Sequence, residues 1–168
     1  MGPVSAEAEI DASREAIFEY LLDVASRPVI FGPDMQEFRL FDLDSEGLGA
    51  GYRFRFRRGA WVGMTLVSSE RPIRVSERGE TGRGNRTPAG FEWELSETVA
   101  GLSLVRVSYW TEVTGPAAAV DRITGHAGRH ERVLKAALGR LRDQVEEGSE
   151  EVGSIAVAGG NRFDTGVP

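Results

Sequence analysis

Two histidines stand one helical turn apart in the last third of the sequence, and they are the side chains best suited to proton transfer. His126 and His130 differ by four positions, so on a helix both imidazoles project from the same side. Two imidazoles at this spacing can bind one metal ion. No third ligand can be identified from the sequence, and Glu131 points elsewhere on the helix, so we predict no metal site.

His130 is the histidine that falls on an apolar face, between Ala127 and Leu134. Imidazole has an unperturbed pKa of about 6.5, so a cavity-facing His130 could act as a general acid or base in an enolisation or a dehydration. A hydrogen-bonded histidine with a structural role explains the same pattern and is the commoner arrangement. The glycines at 47, 49 and 51 precede a strand and not a helix, so they predict no dinucleotide site, and we expect no cofactor.

The element that must position these histidines is a long amphipathic helix, predicted over residues 116–147. At about 1.5 Å per residue it would be roughly 45 Å long, enough to cross a whole sheet. Glycines at 125, 128 and 139 each weaken a helix by about 1 kcal/mol, which indicates either a close crossing or bend, or the wall of a cavity. The apolar stripe that predicts the helix consists of Val120, Ile123, Ala127, Leu134, Leu138, Leu141 and Val145.

Composition restricts the classes of function. A chain of 168 residues with 40% apolar and 27% charged residues fits one globular domain, which we place at residues 1–148, followed by a flexible tail at 149–168. The net charge of −6 argues against a nucleic-acid partner. Arginines at 53, 55, 57 and 58 are the local exception, and their alternation with aromatic residues predicts the solvated face of a strand.

The sequence also indicates where the protein works. It contains no cysteine, which excludes disulfides, thiolate metal sites and thiol catalysis and is typical of a reducing compartment. The first residues show no basic segment followed by an apolar run, and nowhere do eighteen apolar residues follow one another. We therefore expect a cytoplasmic protein without a membrane span.

Before the long helix, the chain is rich in strands. Alternation predicts a first strand at residues 4–10, a helix capped by Ser13, and a short helix or turn at 25–31 that ends at Gly32 and Pro33. Strands are then predicted at 36–43, 52–57, 61–70, 73–78, 91–95 and 105–109, with aromatic residues on the inner face of the second of these six. Residues 79–90 hold four glycines and one proline, which predicts a long mobile loop.

This order of elements resembles the START-related helix-grip superfamily, in the polyketide cyclase/dehydrase (SRPBCC) branch. The resemblance rests on the segments EAEIDASREAIFEYLLD, GLGAGYRFRF, VSSERPIRV and LGRLRDQVEEG, and it covers residues 4–148. It implies an α+β fold in which a curved antiparallel sheet of about seven strands wraps around the long C-terminal helix, with an apolar cavity between them. The chain departs from its relatives at Phe31, Gly32 and Pro33, where a tryptophan is frequent.

The implied cavity predicts a set of ligand-binding side chains, each of which could also be plain core packing. Two positively charged residues of the predicted loop, Arg83 and Arg86, could close over the entrance as a lid. His130 and Tyr109 are the candidate acid–base groups. The predicted ligand-binding residues are Tyr52, Phe54, Phe56, Met64, Trp93, Ile123 and Ala127.

Three functions remain open at this point. The sequence favours a binding protein for a hydrophobic small molecule, such as a lipid, a polyketide or an aromatic metabolite. The alternative is a polyketide cyclase, aromatase or dehydratase in which His130 and Tyr109, with Arg86, position and protonate the substrate, as the resemblance implies for some relatives. A protein with a filled core that acts through its surface is the third. We also predict a homodimer.

Overall fold

In this computed structural model the described residues are 3–57, 59–82, 86–112 and 126–146, with side chains in the last range from residue 128 onward. The helices are α1 (Arg14–Leu22), α2 (Arg27–Phe31) and α3 (His126–Glu146), and short 3₁₀ turns at Val24–Ser26 and Gly32–Asp34 flank α2. The strands are β1 (Val4–Ile10), β2 (Met35–Leu40), β3 (Gly51–Phe56), β4 (Trp61–Glu70), β5 (Arg74–Thr81), β6 (Thr87–Glu97) and β7 (Ser103–Thr111).

The seven strands form one antiparallel sheet in the order β1-β7-β6-β5-β4-β3-β2. From β2 to β7 each strand pairs with its neighbour in sequence, and β1 joins beside β7. The sheet curls into a half-barrel, and α3 packs against β1, β7 and α2. The predicted α+β class and the curved sheet with a C-terminal helix are therefore confirmed.

Alternation along β3 separates the core from the solvent as predicted. Tyr52 and Phe54 are fully buried on the inner face. On the outer face, the guanidinium carbons of Arg53 and Arg55 lie 5.2 and 5.0 Å from the centre of the Trp61 ring, so the two arginines stack on one indole. Arg53 and Arg55 therefore pack against Trp61 at the surface of the sheet.

The N-terminal helix begins where the sequence predicts. The Ser13 hydroxyl accepts a hydrogen bond of 3.1 Å from the backbone N–H of Ala16, which satisfies one of the free donors of the first turn. Ile17, Phe18 and Leu21 are buried beneath it. The predicted short helix at 25–31 is also present, as the 3₁₀ turn followed by α2.

The prediction of a long loop at residues 79–90 is wrong, because β5 continues to Thr81 and β6 starts at Thr87. Gly79 and Gly90 lie inside paired strands and serve close packing. A Cβ on Gly79 would lie 1.8 Å from the carbonyl oxygen of Gly63, and a Cβ on Gly90 would lie 2.7 Å from the Trp110 ring. Glycine in a strand can mark a turn or such a close approach, and here it marks the approach.

The C-terminal helix is present at His126–Glu146, and its amphipathic pattern is confirmed from residue 128, where the described side chains begin; the predicted part at 116–125 lies outside the described residues. Gly128 and Gly139 have no neighbour within 4 Å of an added Cβ, so a close crossing does not explain either of them. Among the described helices, none combines the length and apolarity needed to span a bilayer. The buried side chains of α3 are Val133, Leu134, Ala137, Leu138 and Leu141.

Candidate functional site

A cavity of about 980 Å³ opens between the helix α3, the turn after α2 and the inner ends of β3, β4 and β7. Three of its lining residues, Phe56, Tyr109 and His130, were singled out from the sequence. The lining residues are Pro33, Asp34, Gln36, Phe56, Arg57, Gly59, Ala60, Val62, Thr81, Tyr109, Arg129, His130, Val133 and Arg140.

The three predicted residues form an aromatic cluster in this cavity. The imidazole of His130 stacks on the ring of Tyr109, with 5.4 Å between centroids and 25° between planes. Phe56 meets His130 edge-on at 6.1 Å and Tyr109 at 6.1 Å. Tyr109 is only 3% exposed, so its ring is held by packing. The fold therefore brings the candidate acid–base pair together, on a strand and a helix that are distant in sequence.

Charged side chains line one corner of the cavity, at the 3₁₀ turn Gly32–Asp34. Arg57 approaches the turn from the end of β3, and its Nε donates to Asp34 Oδ1 at 2.5 Å. Arg140 approaches from α3, and its Nη1 donates to the carbonyl oxygen of Phe31 at 3.1 Å. The Arg140 contact satisfies a carbonyl at the C-terminal end of α2.

Gly32 allows Arg140 to sit there. Its φ of +55° lies in a region that other residues rarely adopt, and a Cβ would lie 2.9 Å from the Arg140 Cζ. Sequence reasoning noticed this corner only as a departure from the relatives. It assigned Arg57 to a solvated face and placed Arg140 off the apolar stripe, which gave no sign that a turn would bring them together.

Four of the other predicted ligand-binding residues are placed by the structure outside this cavity. Tyr52, Phe54, Met64 and Trp93 are fully buried and do not line this cavity; they belong to the core next to it. The side chain of Ala127 is not among those described. Ile123 and the lid candidate Arg83 lie outside the described residues, and Arg86 is exposed just before β6 and does not line this cavity.

Comparison with known proteins supports the fold. No family model and no curated protein matches the sequence significantly. Solved structures do: KanY superposes with a TM-score of 0.66 at 17% identity, over 87% of this chain and 99% of KanY. Truncated norcoclaurine synthase from Thalictrum flavum gives 0.66 at 13% identity, over 87% and 94% of the two chains. A major latex-like protein from Panax ginseng gives 0.59 at 15% identity, over 86% and 97%.

This chain has the helix-grip fold. At these sequence identities the likeness concerns the fold alone, since one fold carries many functions. The function of this helix-grip chain has to be argued from its own side chains.

A second polar group, missed by sequence reasoning, lies in the core of the helix-grip domain. Arg27 and Glu77 form an ion pair with both side chains 0% exposed. Glu77 Oε1 accepts from Arg27 Nε at 2.9 Å and from Nη2 at 2.7 Å, while Glu77 Oε2 accepts from the Tyr52 hydroxyl at 2.5 Å. Arg27 also donates to the Leu21 carbonyl and to the Ser26 hydroxyl. We call Arg27, Glu77 and Tyr52 the buried triad.

Electrostatics keep two members of the buried triad, Tyr52 and Arg27, in one protonation state. Burial raises the pKa of Tyr52 well above its usual value, and the charge of Glu77 raises it further, so the phenol stays neutral. Burial alone would lower the pKa of Arg27, but the adjacent Glu77 and Tyr52 outweigh this and raise it. The phenol of Tyr52 and the guanidinium of Arg27 therefore both keep their protons near neutral pH, which makes them poorly suited to acid–base chemistry.

The buried triad lies at the start of α2, and the turn Gly32–Asp34 that follows α2 forms the corner of the cavity. Because α2 has only five residues, a shift at Arg27 is carried directly to the turn Gly32–Asp34. We therefore expect the triad to position the site.

In the part of the chain that the structure describes, no three histidine, aspartate or glutamate side chains come together in an arrangement that could hold an ion. The side chain of His126, the partner of His130 in the sequence pattern, is not among those described.

Proposed function

We propose that this protein binds a hydrophobic small molecule, of the lipid, polyketide or aromatic class, in the cavity between the sheet and α3. The observation that carries the proposal is an aromatic cluster, Phe56, Tyr109 and His130, that lines a cavity of about 980 Å³. Pockets for small ligands are typically about 300–1,000 Å³, with apolar walls and a few polar groups. Burial of the ligand's apolar surface would supply about 25 cal/mol per Å², and the polar groups would set its orientation.

Two measurements test this proposal. Native mass spectrometry followed by denaturing extraction shows whether an apolar molecule accompanies the purified protein. A fluorescence titration with the neutral probe N-phenylnaphthylamine then measures binding directly. We expect saturable binding of one probe molecule per chain.

A matched pair of variants locates the binding. Val133 lines the cavity and is 8% exposed, so Val133→Phe places a ring where the ligand would lie. Ala136→Phe adds the same ring to an exposed position of the same helix, away from the cavity. We expect Val133→Phe to weaken probe binding at least about tenfold and Ala136→Phe to leave it unchanged. Equal binding by both variants would place the probe elsewhere and reject the proposal.

A second function is favoured by one observation. His130 and Tyr109 stack at the cavity wall, where both could reach a bound substrate, so a polyketide cyclase, aromatase or dehydratase is the alternative. Turnover of the co-purified class of molecule would support it, if His130→Gln abolished turnover while ligand affinity stayed within about twofold. Unchanged turnover in His130→Gln would count against it.

The remaining expectations are proposals of the same kind. The homodimer is checked by light scattering on the purified protein across a range of concentrations. The cytoplasmic location is checked by fractionation of the cells that produce it. The 149–168 tail lies outside the described residues, and limited proteolysis with mass spectrometry tests its predicted flexibility.

A further inference from the structure

We infer that the cavity selects an apolar ligand that carries one carboxylate, and that the carboxylate is held at the Gly32–Asp34 corner by Arg57 and Arg140. This inference rests on the proposed binding function and narrows the class of ligand. Among the lining residues that the structure describes, three arginines stand against a single aspartate.

The carboxylate of Asp34 is already paired with Arg57. Asp34 is 7% exposed and pairs with Arg57 through both backbone and side chain: the Arg57 N–H donates to the Asp34 carbonyl at 2.9 Å, and its Nε to the carboxylate at 2.5 Å. Counting the described residues alone, the corner with Arg57, Arg140 and Asp34 therefore carries one uncompensated positive charge. A cationic ligand would be repelled there, and an anionic one attracted.

The two guanidiniums also have donors left to offer. Each guanidinium has five N–H groups in a planar fork that matches a carboxylate. Within the part of the chain that the structure describes, Arg57 uses only Nε, and Arg140 uses only Nη1. Both arginines line the cavity, so a ligand bound there could accept hydrogen bonds from their remaining N–H groups.

Arg140 is held in place before any ligand arrives. Its contacts with the Ile30 and Phe31 carbonyls fix the guanidinium to the end of α2, and Gly32 leaves the space that it fills. An arginine that is already ordered and half-buried binds an anion more strongly than a free surface arginine, because less side-chain entropy is lost and the dielectric is lower. Arg129, the third arginine, lies about 16 Å along α3 from Arg140, at the opposite end of the cavity.

Two fluorescent probes of similar shape test the inference. Anilinonaphthalene sulfonate carries one negative charge, and N-phenylnaphthylamine is the neutral counterpart. We expect the wild-type protein to bind the sulfonate about tenfold more tightly, the effect of one charge-assisted contact. Competition by naphthoate, but not by naphthamide, extends the result from the sulfonate to a carboxylate.

Three variants assign the preference to the corner. Arg140→Gln should remove the preference for the sulfonate and leave the neutral probe within about twofold. Asp34→Asn keeps an oxygen for Arg57 but removes the negative charge, so it should raise the affinity for the sulfonate. Arg142→Gln is the matched control, since Arg142 is an exposed arginine of the same helix that does not line the cavity. Should Arg140→Gln fail to fold, Arg57→Gln takes its place.

The outcomes separate this inference from the proposed function. If both probes bind equally to the wild type, or if Arg142→Gln acts like Arg140→Gln, the corner does not recognise an anion, while the binding function stands. If Asp34→Asn does not raise the affinity for the sulfonate, the inference is likewise overturned. If neither probe binds, the proposed function itself is wrong.

Discussion

Replacing Glu77 with glutamine tests whether the buried triad holds the cavity in shape. The substitution keeps the volume of the side chain but removes the charge that balances Arg27, and both side chains are 0% exposed. Glu77 accepts three hydrogen bonds, two from Arg27 and one from the Tyr52 hydroxyl, so the variant leaves a guanidinium in the core without a counter-ion. Breaking a buried ion pair in this way costs about 3–5 kcal/mol.

A loss of about 3–5 kcal/mol is a large part of the total free energy of unfolding, which for a domain of this size is about 5–15 kcal/mol. Equilibrium unfolding in urea, followed by tryptophan fluorescence, measures it, since Trp93 lies beside Arg27 at 5.6 Å. Tyr52→Phe removes only the third hydrogen bond and should cost less, about 1–3 kcal/mol.

A double variant separates the ion pair from simple packing. Arg27→Met with Glu77→Leu removes both charges, so its loss should be smaller than the sum of the two single losses. Because α2 also carries the corner of the cavity, Glu77→Gln should weaken probe binding as well. A loss of stability below about 1 kcal/mol for Glu77→Gln would refute the argument, because a surface ion pair contributes no more than that.

Two further predictions follow from the structure. Gly139→Ala should stabilise the protein by about 0.5–1 kcal/mol, because an added Cβ meets nothing within 4 Å. Gly79→Ala should instead prevent normal pairing of β4 and β5, because its Cβ would lie 1.8 Å from the Gly63 carbonyl oxygen. Thermal unfolding of both variants tests the two predictions. The raised pKa of Tyr52 keeps its phenol protonated in the folded state, so the stability it contributes is complete below pH of about 10 and falls as the pH rises further, when the unfolded phenol ionises first. Tyr52→Phe should make the loss of stability with rising pH less steep. Burial also raises the pKa of Tyr20, but this residue is present in both proteins, so its contribution cancels in the comparison. Equal slopes of stability against pH above about pH 10 in the wild type and in Tyr52→Phe would contradict the prediction.

Most of the secondary structure could be read from the sequence because its periodicity is local. Tyr52 and Phe54 face inward since they alternate with arginines, and Ser13 caps α1 since its hydroxyl reaches a donor three residues later. The same reasoning gave a wrong prediction for residues 79–90, because it took their glycines as signs of a loop. A glycine that relieves a close backbone contact looks the same in sequence as one that makes a turn, and only the position of Gly63 distinguishes them.

The candidate site could be predicted in part. His130 falls on the apolar stripe, and Phe56 and Tyr109 fall on inner faces, so periodicity alone put all three on the side that faces the cavity. The same rule selected Trp93 and Met64, which the structure buries in the core beside the cavity. Periodicity indicates which side chains face inward, and the curvature of the sheet and the position of α3 decide which of those meet a cavity.

What the sequence by itself determined is the order of the elements, the inner face of each and, through resemblance, the helix-grip arrangement. The tertiary structure alone decided the polar contacts. Arg27 and Glu77 are 50 positions apart, and Arg140 meets the Phe31 carbonyl across 109 positions. A charged residue is predicted from sequence to face solvent, because burial without a partner is unfavourable. Only the register of the sheet and the docking of α3 bring the partner into reach, so only the fold could reveal the buried triad and the charged corner.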